Sequence, residues 1–128
     1  MEASALLDAH VQLKRIYTAL NEALDLTRQL ADAVDRDDQI SAQMLISMRQ
    51  EPVDKLRGAH QALEQQRETL PAGDAARLTA ILKGAAAETA EEGPLAAQAG
   101  VNQRVLKQLV DLDQVVNRKL AREQSIYK

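Results

Sequence analysis

Histidine and short acidic side chains are the residues of this chain best suited to chemistry, and their spacing points away from it. His10 and His60 stand alone, without the second histidine one turn away that a helical metal site uses. Asp35, Asp37 and Asp38 crowd three carboxylates together, yet the glycine and distant bidentate glutamate of a calcium loop are missing. Such short side chains serve better as acceptors for the free N–H groups that begin a helix. Gly58, Gly73, Gly84, Gly93 and Gly100 are isolated, so no phosphate-cradling loop can be built from them. Ser4, Ser41, Ser47 and Ser125 sit in no nucleophile motif. The absence of cysteine removes thiol catalysis, disulfides and cysteine-based zinc sites together. The expectation is a protein that is not an enzyme and uses no cofactor or metal.

Binding is the remaining class, and composition limits what is bound. A net charge of -3, with acids and bases mixed along the chain, gives no general attraction to nucleic acid or anionic membranes. Tyr17 and Tyr127 are the only aromatics, too few for a stacking platform. Residues 101–128 hold six Lys or Arg against three Asp or Glu, so the C-terminal segment leans basic. A solvated helix face explains this more simply than an acidic partner does. No run approaches the length of a membrane span, and the first residues lack the basic start and apolar stretch of a secretory signal. These features predict a cytoplasmic protein with no nucleic acid partner and no membrane insertion.

The elements that must carry these side chains read as helices. The length, 128 residues, suits one domain, and its apolar residues are mostly Leu, Ala, Val and Ile. From residue 2 to residue 34 the apolar spacing alternates threes and fours through Leu6, Ala9, Leu13, Ile16, Leu20, Ala23, Thr27, Leu30 and Val34. Leu7, Leu24 and Leu26 widen this heptad seam toward a bundle core. The Asp35–Asp38 cluster closes the helix and caps the next in a tight hairpin.

A second seam, through Leu45, Met48, Leu56, Ala59, Leu63 and Leu70, places a helix over 39–69. It is kinked or split near Pro52, which removes one hydrogen bond and disfavours helix at Glu51. Leu70-Pro71-Ala72-Gly73-Asp74 reads as a loop before a short third helix over 74–90, with Leu78, Ile81, Leu82, Ala85 and Ala86 on one face despite Gly84. After Glu91-Glu92-Gly93-Pro94, where Pro94 suits either a loop or a first turn, the last helix spans 95–124. It aligns Leu95, Asn102, Val105, Leu109, Leu112, Val116 and Leu120, with Leu106 adjacent. Brief loops force neighbours to run antiparallel. The predicted fold is therefore an all-α, antiparallel up-and-down bundle of three long helices plus one short helix, packed like a coiled coil, in a single domain over 1–128.

Three features leave a choice open. Met44 and Met48, one turn apart, suit core filling or an adaptable apolar groove. Asn102 within an apolar stripe either sets register, reaches a partner, or marks the stripe's wet end. Tyr127 either packs back as an anchor or lies in a frayed tail.

The antiparallel first two helices, the Arg49 to Leu70 stretch rich in Leu, Glu, Gln and Arg, and the run Asn102-Gln-Arg-Val-Leu-Lys-Gln-Leu-Val-Asp-Leu make the chain resemble the FlgN-type flagellar export chaperones. An Asn leading into an aliphatic last helix is the part most similar. The resemblance implies a chaperone for hook-associated filament-junction proteins. Its last helix would bind an amphipathic helical segment of the exported flagellar protein and prevent premature assembly. Asn102, Val105, Leu106, Leu109, Leu112, Val116 and Leu120 are the residues expected at that contact, although the same side chains also suit the chain's own core. The competing expectation is a structural coiled-coil adaptor, a homo-oligomer in which the first seam pairs with a second copy.

Overall fold

The longest uninterrupted apolar seam of the sequence becomes the axis around which everything else packs. A computed structural model describes the backbone of residues 1–126 and side chains as far as Arg122; Tyr127 lies outside the described residues. The seam forms α1 (Ala3–Asp35), about 50 Å long at 1.5 Å per residue. Every seam position from Leu6 to Val34 is buried, and Ala19, Leu24 and Ala33 join them. Thr27, the one polar member, is satisfied inside the helix, its hydroxyl donating to the Ala23 carbonyl at 2.7 Å.

At the end of α1 the chain reverses through a residue that seldom adopts the required geometry. Asp37 has φ 59, and the N–H groups of Asp37 and Asp38 donate to the Val34 and Ala33 carbonyls. This is the paired closure that glycine usually provides after a helix. Asp38 then caps α2 (Gln39–Met48), accepting the Ser41 N–H at 3.0 Å. Hydrogen bonding from Ser41 holds its carboxyl below the ordinary carboxylate range. The acidic cluster is thus a helix stop followed by a helix start.

Only Arg49 separates α2 from α3 (Gln50–Thr69). Pro52 has no N–H to offer the Met48 carbonyl, so the ladder breaks there, flanked by Arg49 N–H to Leu45 and Val53 N–H to Arg49. The interruption falls at Arg49 rather than Glu51, which is helical, because the first turn of a new helix tolerates a residue without a donor. Leu70 is extended before Pro71, as the proline ring requires, and α4 (Ala72–Leu82) follows.

The sequence expectation of a third helix reaching residue 90 is corrected here. Gly84, at φ 108, ends α4: its N–H donates to Ile81 and that of Ala85 to Ala80, closing the helix. Ala86 is exposed in the connection rather than on a helical face. The ten residues after Leu82 instead climb back along α4 and deliver the chain to α5 (Gly93–Ile126), with Pro94 in its first turn.

That return sets the topology of an all-α bundle with no strand among the described residues. The chain runs up and down through α4, and the extended return then lets α5 descend parallel to α1. The direction follows from the contacts: Asn102 meets Leu13 near one end, while Lys119 meets Asp35 at 2.6 Å near the other. Three long helical rods and one short one result, as the seams predict. One core joins α1, α3, α4 and α5 through Leu6, Leu13, Leu63, Leu78, Ile81 and Leu95. A second, around Leu30, Val34, Leu45 and Val116, joins α1, α2 and α5.

Candidate partner-binding groove

α1 serves as a floor on which α3 and α5 lie side by side, their backbones not in close approach. In the upper part of the bundle, α4 fills the gap between them, inserting Leu78 and Ile81, which are fully buried. Its eleven residues are too few to fill the rest. Below its end remains an apolar groove of about 250 Å³ with Leu13, Ile16 and Leu20 at its base. Leu56, His60 and Leu63 form one wall, Ala99, Asn102, Gln103 and Leu106 the other, and Leu82 the upper end.

Helical phase extends both walls downward. Val53 lies one turn before Leu56 on α3, and Val110 one turn after Leu106 on α5. Val53 is 38% exposed, Leu106 47% and Val110 44%, so α3 and α5 each keep unburied apolar surface near this level, with Leu106 lining the groove itself. Arg49 marks the lower end. From the α2–α3 joint it reaches across α1 to Asp113 of α5 at 2.7 Å, its Nη1 also donating to the Thr27 hydroxyl at 3.3 Å.

The residues expected at a partner contact divide in this geometry. Val116 is fully buried within the lower core, with Leu120 packed against it. Val105 and Leu109 pack on the upper core, and Leu112 is half-buried. Asn102 is buried too: it donates from Nδ2 to the Leu13 carbonyl at 2.9 Å and accepts from Gln98 at 3.0 Å. It therefore bonds α5 to α1 and fixes their axial register, while one edge lines the groove. Leu106 alone of the seven stands exposed.

Following the apolar stripes along the α1-facing sides of α3 and α5 passes over Val53 and Val110. The Leu106–Val110 pair, spaced by four, is the signal in the sequence that could have found this wall. Met44 and Met48 lie exposed on α2, and so does Ile40 at 83%. Only Ala42 and Leu45 of that helix are buried, since α2 carries apolar residues on nearly every side and α1 covers one of them. The α1 seam, in contrast, is covered by the chain's own helices.

The most strongly perturbed carboxylate belongs to the α4–α5 return rather than to the groove. Glu92 receives Arg77 through Nε at 3.1 and 3.2 Å and Nη2 at 2.6 Å, and accepts the Glu88 N–H at 2.9 Å. Arg77 chiefly, and then the Glu88 N–H, hold its carboxyl down to about 2. Arg77 also donates to the Ala86 carbonyl at 2.8 Å, so one guanidinium straps the return to α4.

His60, on the groove wall, has Glu64 one turn away, but Glu64 is engaged by Arg67 on its own helix. Among the described residues no group of three or more His, Asp or Glu is placed to hold a metal ion. A wider depression of about 730 Å³ on the other flank of α3 sets the cationic side chains Lys14, Arg15 and Lys55 around a mainly apolar surface that includes Val11 and Ala59. No described helix is long and apolar enough to cross a membrane. Compared with protein-family models, curated proteins and solved structures, the chain matches none.

Proposed function

We propose that this protein is a cytoplasmic export chaperone of the FlgN kind, binding an amphipathic helical segment of a hook-associated flagellar protein and keeping it from assembling early. The observation that carries the reading is the apolar groove between α3 and α5, with Leu106 and Val110 unburied on the α5 wall. A lone client helix cannot hide its own apolar stripe, and two walls with an aliphatic floor shield one from water. The share of the last helix in recognition is its groove flank. Val105, Leu109, Val116 and Leu120 hold α5 in place, and Asn102 sets where along α1 that flank stands.

Self-association remains the competing reading, favoured by one observation: α2 exposes Ile40, Met44 and Met48 on a helix without a charged residue. A second copy would then meet α2, since the α1 seam is occupied internally. Co-expression with hook-associated proteins, followed by capture and size measurement, separates the two. A complex with one such protein supports the chaperone. A concentration-independent homo-oligomer that captures none of them supports the adaptor.

A further inference from the structure

The face of α1 turned away from the groove carries charges in an order that fits its own reversal. Its outer stripe runs Val11, Arg15, Thr18, Glu22 and Leu26 at spacings of four and three, with Lys14 and Asp25 beside it. Cations lie toward one end, carboxylates toward the other, and an aliphatic side chain closes each. Among the described residues Lys14, Arg15 and Asp25 take part in no ion pair. Lys55 stands between the two ends, shared by Glu22 at 3.3 Å and Glu51 at 3.5 Å.

The neighbouring helices continue this order. The depression beside Lys14 and Arg15 opens over Gly58, where an added Cβ would meet nothing within 4 Å. The chain's own packing therefore does not require a glycine at this point inside α3, where glycine is unfavourable. A second depression, of about 450 Å³, borders Glu22, Asp25 and Glu51 and includes Leu26, Pro52 and Met48, which is 49% exposed. One end of the face is thus a cationic hollow, and the other an acidic rim with a protruding methionine.

We infer that this face pairs with a second copy of the chain, α1 against α1 and antiparallel, about a two-fold axis beside Thr18. With residue 15 opposite residue 22, two Arg15–Glu22 contacts form at once, Val11 meets Leu26 of the second copy, and Lys14 comes beside its Asp25. The same rotation sets the Met48 end of each copy over the Gly58 hollow of the other. Parallel pairing would bring like charges together, so charge selects the direction. The stretch from Val11 to Leu26 is about 22 Å long and two helices wide, which suits a weak, salt-sensitive dimer. The groove, with Leu13, Ile16 and Leu20 at its base, opens on the opposite side of α1, so the pairing goes beyond the proposed function and holds whichever partner the groove takes.

Sedimentation of the full chain in low salt, at concentrations up to about 1 mM, is expected to show a reversible monomer–dimer equilibrium that added salt weakens. Lys14→Glu with Arg15→Glu in one chain, or Glu22→Lys with Asp25→Lys in another, should each weaken dimerisation about a hundredfold. Mixing the two variants should restore a dimer, because each reversed end then meets its opposite. Gly58→Leu, which places a side chain in the hollow, should weaken pairing about tenfold without lowering the melting temperature. A parent chain that stays monomeric throughout overturns the inference, as does a dimer that neither charge reversal weakens. Variants that stay monomeric when mixed overturn the antiparallel register. A dimer lost to Met44→Glu while both charge variants still pair places the second copy on α2 instead.

Discussion

The upper and lower parts of the bundle are made from the same two walls and the same floor, and differ in whether a helix fills the space between them. Above, α4 buries Leu78 and Ile81 against Leu6, Leu63 and Leu95, and the Arg77–Glu92 strap holds its return connection. Below, Val53, Leu106 and Val110 remain partly in water, and only the Arg49–Asp113 pair crosses the gap. The comparison separates two uses of aliphatic side chains. Where α4 sits they are closed off from water, and where it is missing the two walls keep partly exposed apolar side chains.

Breaking the filled part should cost most. Ile81→Ala removes a fully buried side chain from the meeting point of four helices, and a loss of about 2–5 kcal/mol is expected from urea unfolding. An effect under about 1 kcal/mol would mean that α4 is loosely seated and the two parts are alike. Asn102→Ala comes next, since it withdraws the amide that joins α5 to the Leu13 carbonyl; about 1–2 kcal/mol is expected by the same measurement.

The strap sharpens the comparison through pH. Glu92 is depressed to about 2 in the folded protein against an ordinary value of 4.5, so it stabilises the fold fully above that ordinary value. The contribution is lost as pH falls from there toward about 2. Glu92→Gln should therefore melt several degrees below the parent at neutral pH, and the gap should close in acid. A gap of constant size across that window would show that the carboxylate charge is not what holds the return against α4.

Much of this fold is written in spacing. The α1 seam reads directly because α3 and α5 cover it from both sides, so every apolar position is used in one way. Pro52 and Pro71 likewise announce breaks, since a missing N–H acts locally. What spacing could not convey was direction. Gly84 looked like a blemish in a helix, whereas its positive φ ends α4 and begins the return that makes α5 parallel to α1. The groove was legible only in part. Periodicity identifies which residues of α5 are apolar, but where the other helices lie decides which are covered: Val116 is closed in by α1 and α2, whereas Leu106 lies beyond the end of α4.

A smaller effect tests the hairpin that both parts share. Asp37→Gly relieves a non-glycine residue at positive φ after α1, and a gain of about 0.5 kcal/mol is expected from thermal or urea unfolding. The smallest change in stability is expected where the largest change in function lies. Leu106→Glu and Val110→Glu alter partly exposed wall positions, and each should shift unfolding by no more than about 0.5 kcal/mol.

The most direct measurement is therefore made on the Leu106→Glu, Val110→Glu double variant, comparing its melting and its capture of co-expressed hook-associated protein with those of the parent chain. An unchanged helical spectrum and melting curve together with loss of capture is the predicted result. Undiminished capture by a folded variant, or loss of fold and capture together, would contradict the assignment of this wall to a partner.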